Sequence, residues 1–170
     1  MRYYKEVSLR YGIAIILGIF PNVLYNVLAP VTLYLSYLGL KLFYSPELFS
    51  NALKIDHYTL NFVPACVAVS AYLLLAFLIL TTAHISWKQR AKMFVLGSIL
   101  ILAMNIVRIV LLVTILIAYG KNYFQNIHLI FWHMVASLYV VVVWIFLIKK
   151  YKINAVPVVT DFKLLKKWLR

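Results

Sequence analysis

Acidic residues and cysteine are what this chain has least of. Its 170 residues include 4 Asp or Glu and a single Cys, against 17 Lys or Arg. One cysteine excludes an internal disulfide and a CxxC redox or zinc motif. Only 12% of the residues are charged and 65% are hydrophobic, with a mean hydropathy of +0.94. This composition excludes a soluble globular domain and indicates an integral membrane protein made of helices.

The basic residues lie mainly at the ends of apolar runs. In a soluble protein the net charge of +13 would suggest a nucleic-acid partner, but this distribution predicts topology determinants facing an anionic leaflet and no nucleic-acid partner. Basic clusters occur near the N-terminus, at residues 88–92, and in residues 149–170, which hold seven of the 17 basic residues. We therefore expect a multi-pass protein of the cell membrane with both termini in the cytoplasm.

The apolar runs predict an all-α fold, a multi-pass transmembrane helix bundle with about four spanning helices and interfacial amphipathic segments. Residues 12–44 are predicted to cross once, ending near Pro30, with an amphipathic or tilted piece over residues 31–44. The other crossings are predicted at residues 64–83, 93–118 and 128–148. Residues 45–61 form the longer external segment.

No repeat, low-complexity tract or linker divides the chain, so residues 1–170 are predicted to form one integral membrane domain. Its core is residues 62–148, and residues 149–170 are a basic cytoplasmic tail. Two interpretations of the tail stay open: a helix lying on anionic lipids, or a solvated, frayed segment. The apolar face of such a helix would hold Phe162, Leu165, Trp168 and Leu169, and its basic face Lys163, Lys166, Lys167 and Arg170.

Cys66 is predicted to lie in the first turn of a helix that begins near Pro64, since proline is favoured at a first helical position. Free backbone amides and the helix dipole favour a thiolate there. A lone cysteine in an apolar helix is more often inert packing. A functional role therefore depends on what lies beside Cys66.

Arg108 has no carboxylate partner in the predicted helices. An unpaired arginine in a membrane costs ~3 kcal/mol on insertion scales and is functional by default. Backbone carbonyls, Asn105 one turn earlier, the Cys66 thiolate, or a substrate carbonyl or phosphate could offset that cost. All four acids lie outside the apolar helices, at Glu6, Glu47, Asp56 and Asp161.

Three residues from separate helices are predicted to meet near the outer face. With a rise of ~1.5 Å per residue, Cys66 lies roughly 3–6 Å and His133 about 7–8 Å below the outer ends of their helices. Arg108 lies about 16 Å down, but its long side chain can extend several Å outward. A thiolate, a guanidinium and an imidazole in one outward-facing site suit acyl transfer without a metal or cofactor.

The sequence resembles the exosortase/archaeosortase family through Ala65–Cys66, the segment Asn-Ile-Val-Arg-Ile at residues 105–109, and Phe-Trp-His at residues 131–133. Members are membrane cysteine transpeptidases that cut C-terminal sorting signals made of a short motif, a hydrophobic helix and a basic end. The resemblance implies that Cys66 is the nucleophile and that Arg108 and His133 complete the catalytic set. It also implies membrane-anchored substrate proteins and a lipid or other surface acceptor.

Two other functions remain open. A small membrane assembly or transport subunit could use Arg108, Asn105 and His133 to line a polar path. An enzyme acting on lipid headgroups could use Arg108 to bind phosphate. An assembly or transport subunit should keep its function when Cys66 is replaced, whereas a cysteine transpeptidase should lose it.

Overall fold

Helices dominate the computed structural model, which describes residues 2–130 and 136–168. The elements in chain order are α1 (Arg2–Ile19), α2 (Pro21–Lys41), β1 (Glu47–Leu48), β2 (Ala52–Ile55), β3 (Tyr58–Asn61), α3 (Pro64–Val67), α4 (Val69–Thr81), α5 (Trp87–Tyr119), α6 (Lys121–Ile130), α7 (Ala136–Lys150) and α8 (Val159–Trp168).

Two helices in the described part of the chain, α2 and α5, are long and apolar enough to cross a membrane. The 33 residues of α5 extend about 50 Å, more than the ~30 Å of a hydrocarbon core. Helix α4 is apolar but has 13 residues. A mostly helical chain with two candidate membrane spans is therefore established, and the four predicted crossings stay a prediction.

The first apolar run breaks at Phe20 and not near Pro30, where the sequence predicted its crossing to end. Pro21 occupies the start of α2, where its missing N–H costs nothing. Phe20 takes φ −115° and ψ 60°, because the residue before a proline avoids helical angles. Helix α2 continues through Pro30. Apolar helices tolerate a proline where neighbouring groups bond the backbone carbonyl that is left without an N–H donor.

A three-stranded antiparallel sheet in order β1-β2-β3 occupies the predicted external segment, so the all-α prediction was incomplete. Strands β2 and β3 pair with Ile55 opposite Tyr58. Asp56, the first residue of the two-residue loop, has φ 51°, as hairpin turns of this length require. Alternate residues Leu53 and Ile55 are buried and join the sheet to the helices.

Two hydrophobic clusters hold the bundle together. One joins α4, α5 and α7, and Gly97 lets these helices approach closely: a Cβ there would lie 2.7 Å from Leu75 Cδ2 and 3.0 Å from Leu147 Cδ1. The other cluster joins α2, the sheet, α3 and α5, and includes Val67 and Ile109. It therefore packs the turn that carries Cys66 against α5.

The basic tail forms helix α8 and packs on the bundle through Asp161, which is 1% exposed. Arg10 Nη2 lies 3.0 Å from Asp161 Oδ1, and the Val158 amide donates to the Thr81 carbonyl at 3.0 Å. These contacts contradict a solvated, frayed tail. Lipid binding by its basic face stays a prediction.

Two polar clusters lie at different levels of α5. We call the level of Cys66, Asn105 and Arg108 the Cys66 end of the bundle, and the level of Arg90 and Asp161 the Asp161 end. Arg90 and Arg108 are 18 positions apart on one helix, which separates the two ends by about 27 Å.

Candidate functional site

Cys66 lies in a single helical turn, because Ala68 interrupts the helix that the sequence predicted over residues 64–83. Helix α3 ends at Val67, and Ala68 takes the left-handed conformation with φ 59° and ψ 37° before α4 begins. That conformation costs roughly 1–2 kcal/mol for a residue other than glycine. Ala68 is 7% exposed, so the surrounding packing holds the break in place.

The Cys66 thiol is partly exposed, and its surroundings differ from the predicted ones. Its backbone amide donates to the Val63 carbonyl at 2.8 Å, so this amide is not free to stabilise a thiolate. The Sγ atom lies 3.7 Å from the Asn61 carbonyl oxygen, which suits a protonated thiol as donor. Activation of this sulfur therefore depends on other groups around it.

Asn105 and Arg108 bind the carbonyl end of the one-turn helix. Asn105 Nδ2 donates to the Cys66 carbonyl at 2.9 Å. Arg108 Nη2 donates to the Ala65 carbonyl at 2.8 Å and to the Cys66 carbonyl at 3.4 Å. The last carbonyls of a helix lack partners within it, and α5 supplies them here. Backbone carbonyls are thus one of the predicted ways of offsetting the cost of burying Arg108.

The same two side chains also have unused hydrogen-bonding atoms. Arg108 is 5% and Asn105 4% exposed. Arg108 Nε and Asn105 Oδ1 are buried without a hydrogen-bond partner in the part of the chain that the structure describes. Leaving such an atom unsatisfied costs about 1–3 kcal/mol. The site is therefore suited to a ligand that accepts a hydrogen bond from the guanidinium.

A cavity of about 270 Å³ joins Cys66 and Arg108 to a histidine on α6, His128. The His128 ring stacks on Phe124 with centroids 5.5 Å apart and an interplanar angle of 15°. The cavity combines three chemically distinct side chains with a mainly apolar wall. The rest of the wall is Thr59, Leu60, Asn61, Phe62, Ile109, Leu112, Val113 and Phe124.

The structure brings together Cys66, Arg108 and Asn105, three of the four predicted site residues. The fourth, His133, lies outside the described residues. His128 was not predicted as a site residue; the sequence predicted only that a spanning helix starts there. The predicted start was wrong, because the helix that contains His128, α6, already begins at Lys121, after Gly120 at φ 81°. The sequence signal for His128 was Phe124, an aromatic residue four positions earlier and therefore on the same face of the helix.

No group of three His, Cys, Asp or Glu side chains that could hold a metal ion occurs among residues 2–130 and 136–168. The chemistry that the described residues offer is that of a thiol, a guanidinium and an imidazole around one cavity.

A family model described as transmembrane exosortase matches residues 2–149. No curated protein and no solved structure matches the chain. The matched range includes Cys66, Asn105 and Arg108, and also His128 on α6 and His133 in the segment that follows. It ends before α8.

Proposed function

The chain belongs to the transmembrane exosortase family, and from that premise we propose that it is a membrane cysteine transpeptidase. It cleaves the C-terminal sorting signal of membrane-anchored surface proteins and transfers the new carboxyl terminus to a lipid or other surface acceptor. Family membership and the apolar helices establish a membrane location. The orientation, with both termini cytoplasmic and the active site outward, is part of the proposal.

The observation that carries the proposal is the cavity shared by Cys66 and Arg108, with Arg108 Nε buried and unpartnered among the described residues. None of the described residues lining the cavity is acidic. A guanidinium without a carboxylate favours a thiolate and the oxyanion that forms when a thiolate attacks a carbonyl.

In the first half of the reaction, the Cys66 thiol gives its proton to His133, and the resulting thiolate attacks the carbonyl carbon of the scissile peptide to form a carbon–sulfur bond. The carbonyl oxygen becomes an oxyanion and accepts a hydrogen bond from Arg108 Nε. The carbon–nitrogen bond then breaks, and the leaving amine takes a proton from His133. The product is an acyl-thioester on Cys66.

In the second half, an amine or hydroxyl of the acceptor attacks the thioester and loses its proton to His133. The carbon–sulfur bond breaks and Cys66 is regenerated. Asn105 acts through the backbone, because its bond to the Cys66 carbonyl fixes the turn that presents the sulfur. Arg108 Nη2 shares that positioning task through the Ala65 and Cys66 carbonyls.

The size of the cavity supports a short extended segment as the part of the substrate that enters. Its volume of about 270 Å³ lies just below the roughly 300–1,000 Å³ of pockets that enclose drug-sized ligands. A helix with side chains is about 10–12 Å across and does not fit. The substrate's transmembrane helix would therefore pack outside the cavity.

The test is replacement of Cys66 by Ala in the organism that makes the protein. We expect surface proteins that end in a motif, an apolar helix and a basic cluster to keep their C-terminal helices, detected by mass spectrometry of membrane fractions. The matched control is Ser70→Ala, four residues further along in α4 and outside the cavity lining; this variant should process its substrates normally. Normal processing with Cys66→Ala would overturn the proposal and favour the assembly or transport subunit.

A further inference from the structure

We infer that His128 is a substrate-binding residue of this site, hydrogen-bonding the peptide backbone of the sorting signal beside Cys66. The inference rests on the proposed function and deepens it. The role differs from the proton transfer assigned to His133, because it concerns how tightly the substrate is held and not the chemical step.

The position of His128 follows from the fold of α6. Gly120, with φ 81°, ends α5 and lets the chain turn into α6, which packs back on α5. Residues four apart share a helix face, so Phe124 and His128 face the cavity together. Their stacked rings, 5.5 Å apart, restrict the orientation of the imidazole. The residue is therefore held at the cavity wall by its own helix.

Two residues that line this cavity each carry a buried hydrogen-bonding atom without a partner in the described residues. Nδ1 of His128 and Nε of Arg108 are both buried without a partner in the described ranges, 2–130 and 136–168. A structural histidine in the interior normally has its ring nitrogens satisfied. Two such side chains lining one cavity point to a ligand that completes both.

A peptide segment has the matching chemistry. The guanidinium only donates, whereas a neutral imidazole has one donor and one acceptor nitrogen. A peptide backbone presents a C=O for Arg108 and a second C=O or N–H for His128, whichever tautomer is present. The apolar wall formed by Leu60, Leu112 and Val113 suits an adjoining apolar side chain.

The other histidines of the described chain do not share this position. His57 lies in the loop between β2 and β3 and is exposed, and His84 is exposed beyond the end of α4. Neither lines the cavity. His57 therefore provides a matched control for a histidine substitution.

The experiment compares His128→Ala, His128→Asn and His57→Ala in the full chain reconstituted in nanodiscs. The substrate is a peptide spanning the cleavage site mapped from the precursors that accumulate with Cys66→Ala. For His128→Ala we expect KM to rise about tenfold, the effect of one hydrogen bond of ~1.4 kcal/mol, with kcat within about threefold. His128→Asn should restore most of the affinity, since its amide nitrogen occupies nearly the place of Nδ1. His57→Ala should change neither constant.

The outcomes separate this inference from the proposed function. An unchanged KM for His128→Ala, with Cys66→Ala inactive, overturns the binding role and leaves the transpeptidase intact. A fall in kcat at constant KM with an altered pH profile also overturns it, because His128 would then transfer protons. Turnover by Cys66→Ala contradicts the proposed function itself. If His128→Ala does not fold, Phe124→Leu decides: it should raise KM by releasing the His128 ring, and a normal KM in Phe124→Leu overturns the inference.

Discussion

Both ends of the bundle bury arginine side chains, but they satisfy them differently. Arg108 at the Cys66 end is 5% exposed, and Arg10 and Arg90 at the Asp161 end are 4% and 5% exposed. All three nitrogens of Arg10 and of Arg90 donate hydrogen bonds. Their acceptors are the Asp161 carboxylate and the backbone carbonyls of Glu6, Ile79, Leu80, Thr82 and Ile85.

The contrast separates a fully hydrogen-bonded cluster from an incompletely hydrogen-bonded one. At the Asp161 end a carboxylate and helix-terminal carbonyls balance two guanidinium groups, so nothing further is needed there. At the Cys66 end Arg108 has two backbone carbonyls and an unpartnered Nε within the described chain. An incompletely satisfied buried cation beside a thiol is what a substrate-binding site requires.

The two ends also differ in their relation to the family. Residues 2–149 match the exosortase model and contain the Cys66 end completely. Asp161 comes from α8, outside the matched range, yet it pairs with Arg10 inside it. The tail of this chain thus adds, from outside the matched range, the carboxylate that pairs with Arg10.

Replacing Arg108 by Lys should have the largest effect. Lysine keeps the charge but lacks the planar fork that bonds two carbonyls and presents Nε at once. We expect processing to fall by about 10²-fold or more, the usual loss when an oxyanion donor is removed. The measurement is cleavage rate of the mapped peptide, together with the thermal midpoint of the purified protein.

Arg90→Lys is the matched control for Arg108→Lys, since it makes the same change at the Asp161 end. It should lower the thermal midpoint and leave the cleavage rate of the folded protein within about threefold. If Arg108→Lys retains most of its activity, the donor role of Arg108 is wrong and a polar path becomes the better account.

Replacing Asp161 by Asn should instead affect stability. Removing one partner of a buried ion pair typically costs 3–5 kcal/mol, because the other charge stays buried, and Arg10 cannot leave the bundle without losing the carbonyl of Thr82. We expect a large fall in the thermal midpoint in detergent, with cleavage near normal at low temperature. Asp56→Asn, an exposed acid in the hairpin loop, is the control.

A second variant makes the Asp161 test specific to the pair. In Arg10→Met combined with Asp161→Leu both members of the pair are gone, so neither leaves the other unpaired, and Arg90 keeps its hydrogen bonds to backbone carbonyls. The double variant should be more stable than Asp161→Asn alone. Equal losses in the two proteins would mean that the tail helix, and not the ion pair, stabilises this end.

The sequence predicted the Cys66 end through its rare residues. An arginine in an apolar helix, a single cysteine and an asparagine one turn from the arginine mark the site by charge and composition alone. The structure places Cys66, Asn105 and Arg108 in contact. Their proximity was predictable because a buried arginine is costly in a membrane unless other groups compensate for it, and their role as a functional site stays a prediction.

The features that were missed depend on long-range or backbone effects. Asp161 and Arg10 are 151 positions apart, and no local pattern predicts their pairing. Ala68 takes the left-handed conformation, and an alanine, unlike a glycine, gives no sequence signal for it. The four-residue strands of the sheet offer two positions of alternation, Leu53 and Ile55, which is too few for a periodicity to be recognised.

The smallest expected effect concerns the exposed ion pair between Lys54 and Glu47, whose charged atoms lie 3.7 Å apart. The two side chains are 47% and 64% exposed, so water and salt screen the attraction, and such pairs contribute typically 0.2–1 kcal/mol. Glu47→Gln should shift the thermal midpoint far less than Asp161→Asn does. In 1 M salt the shift caused by Glu47→Gln should vanish. A comparable loss from both substitutions would mean that burial does not set the strength of these pairs, and the contrast between the ends would then rest on Arg108 alone.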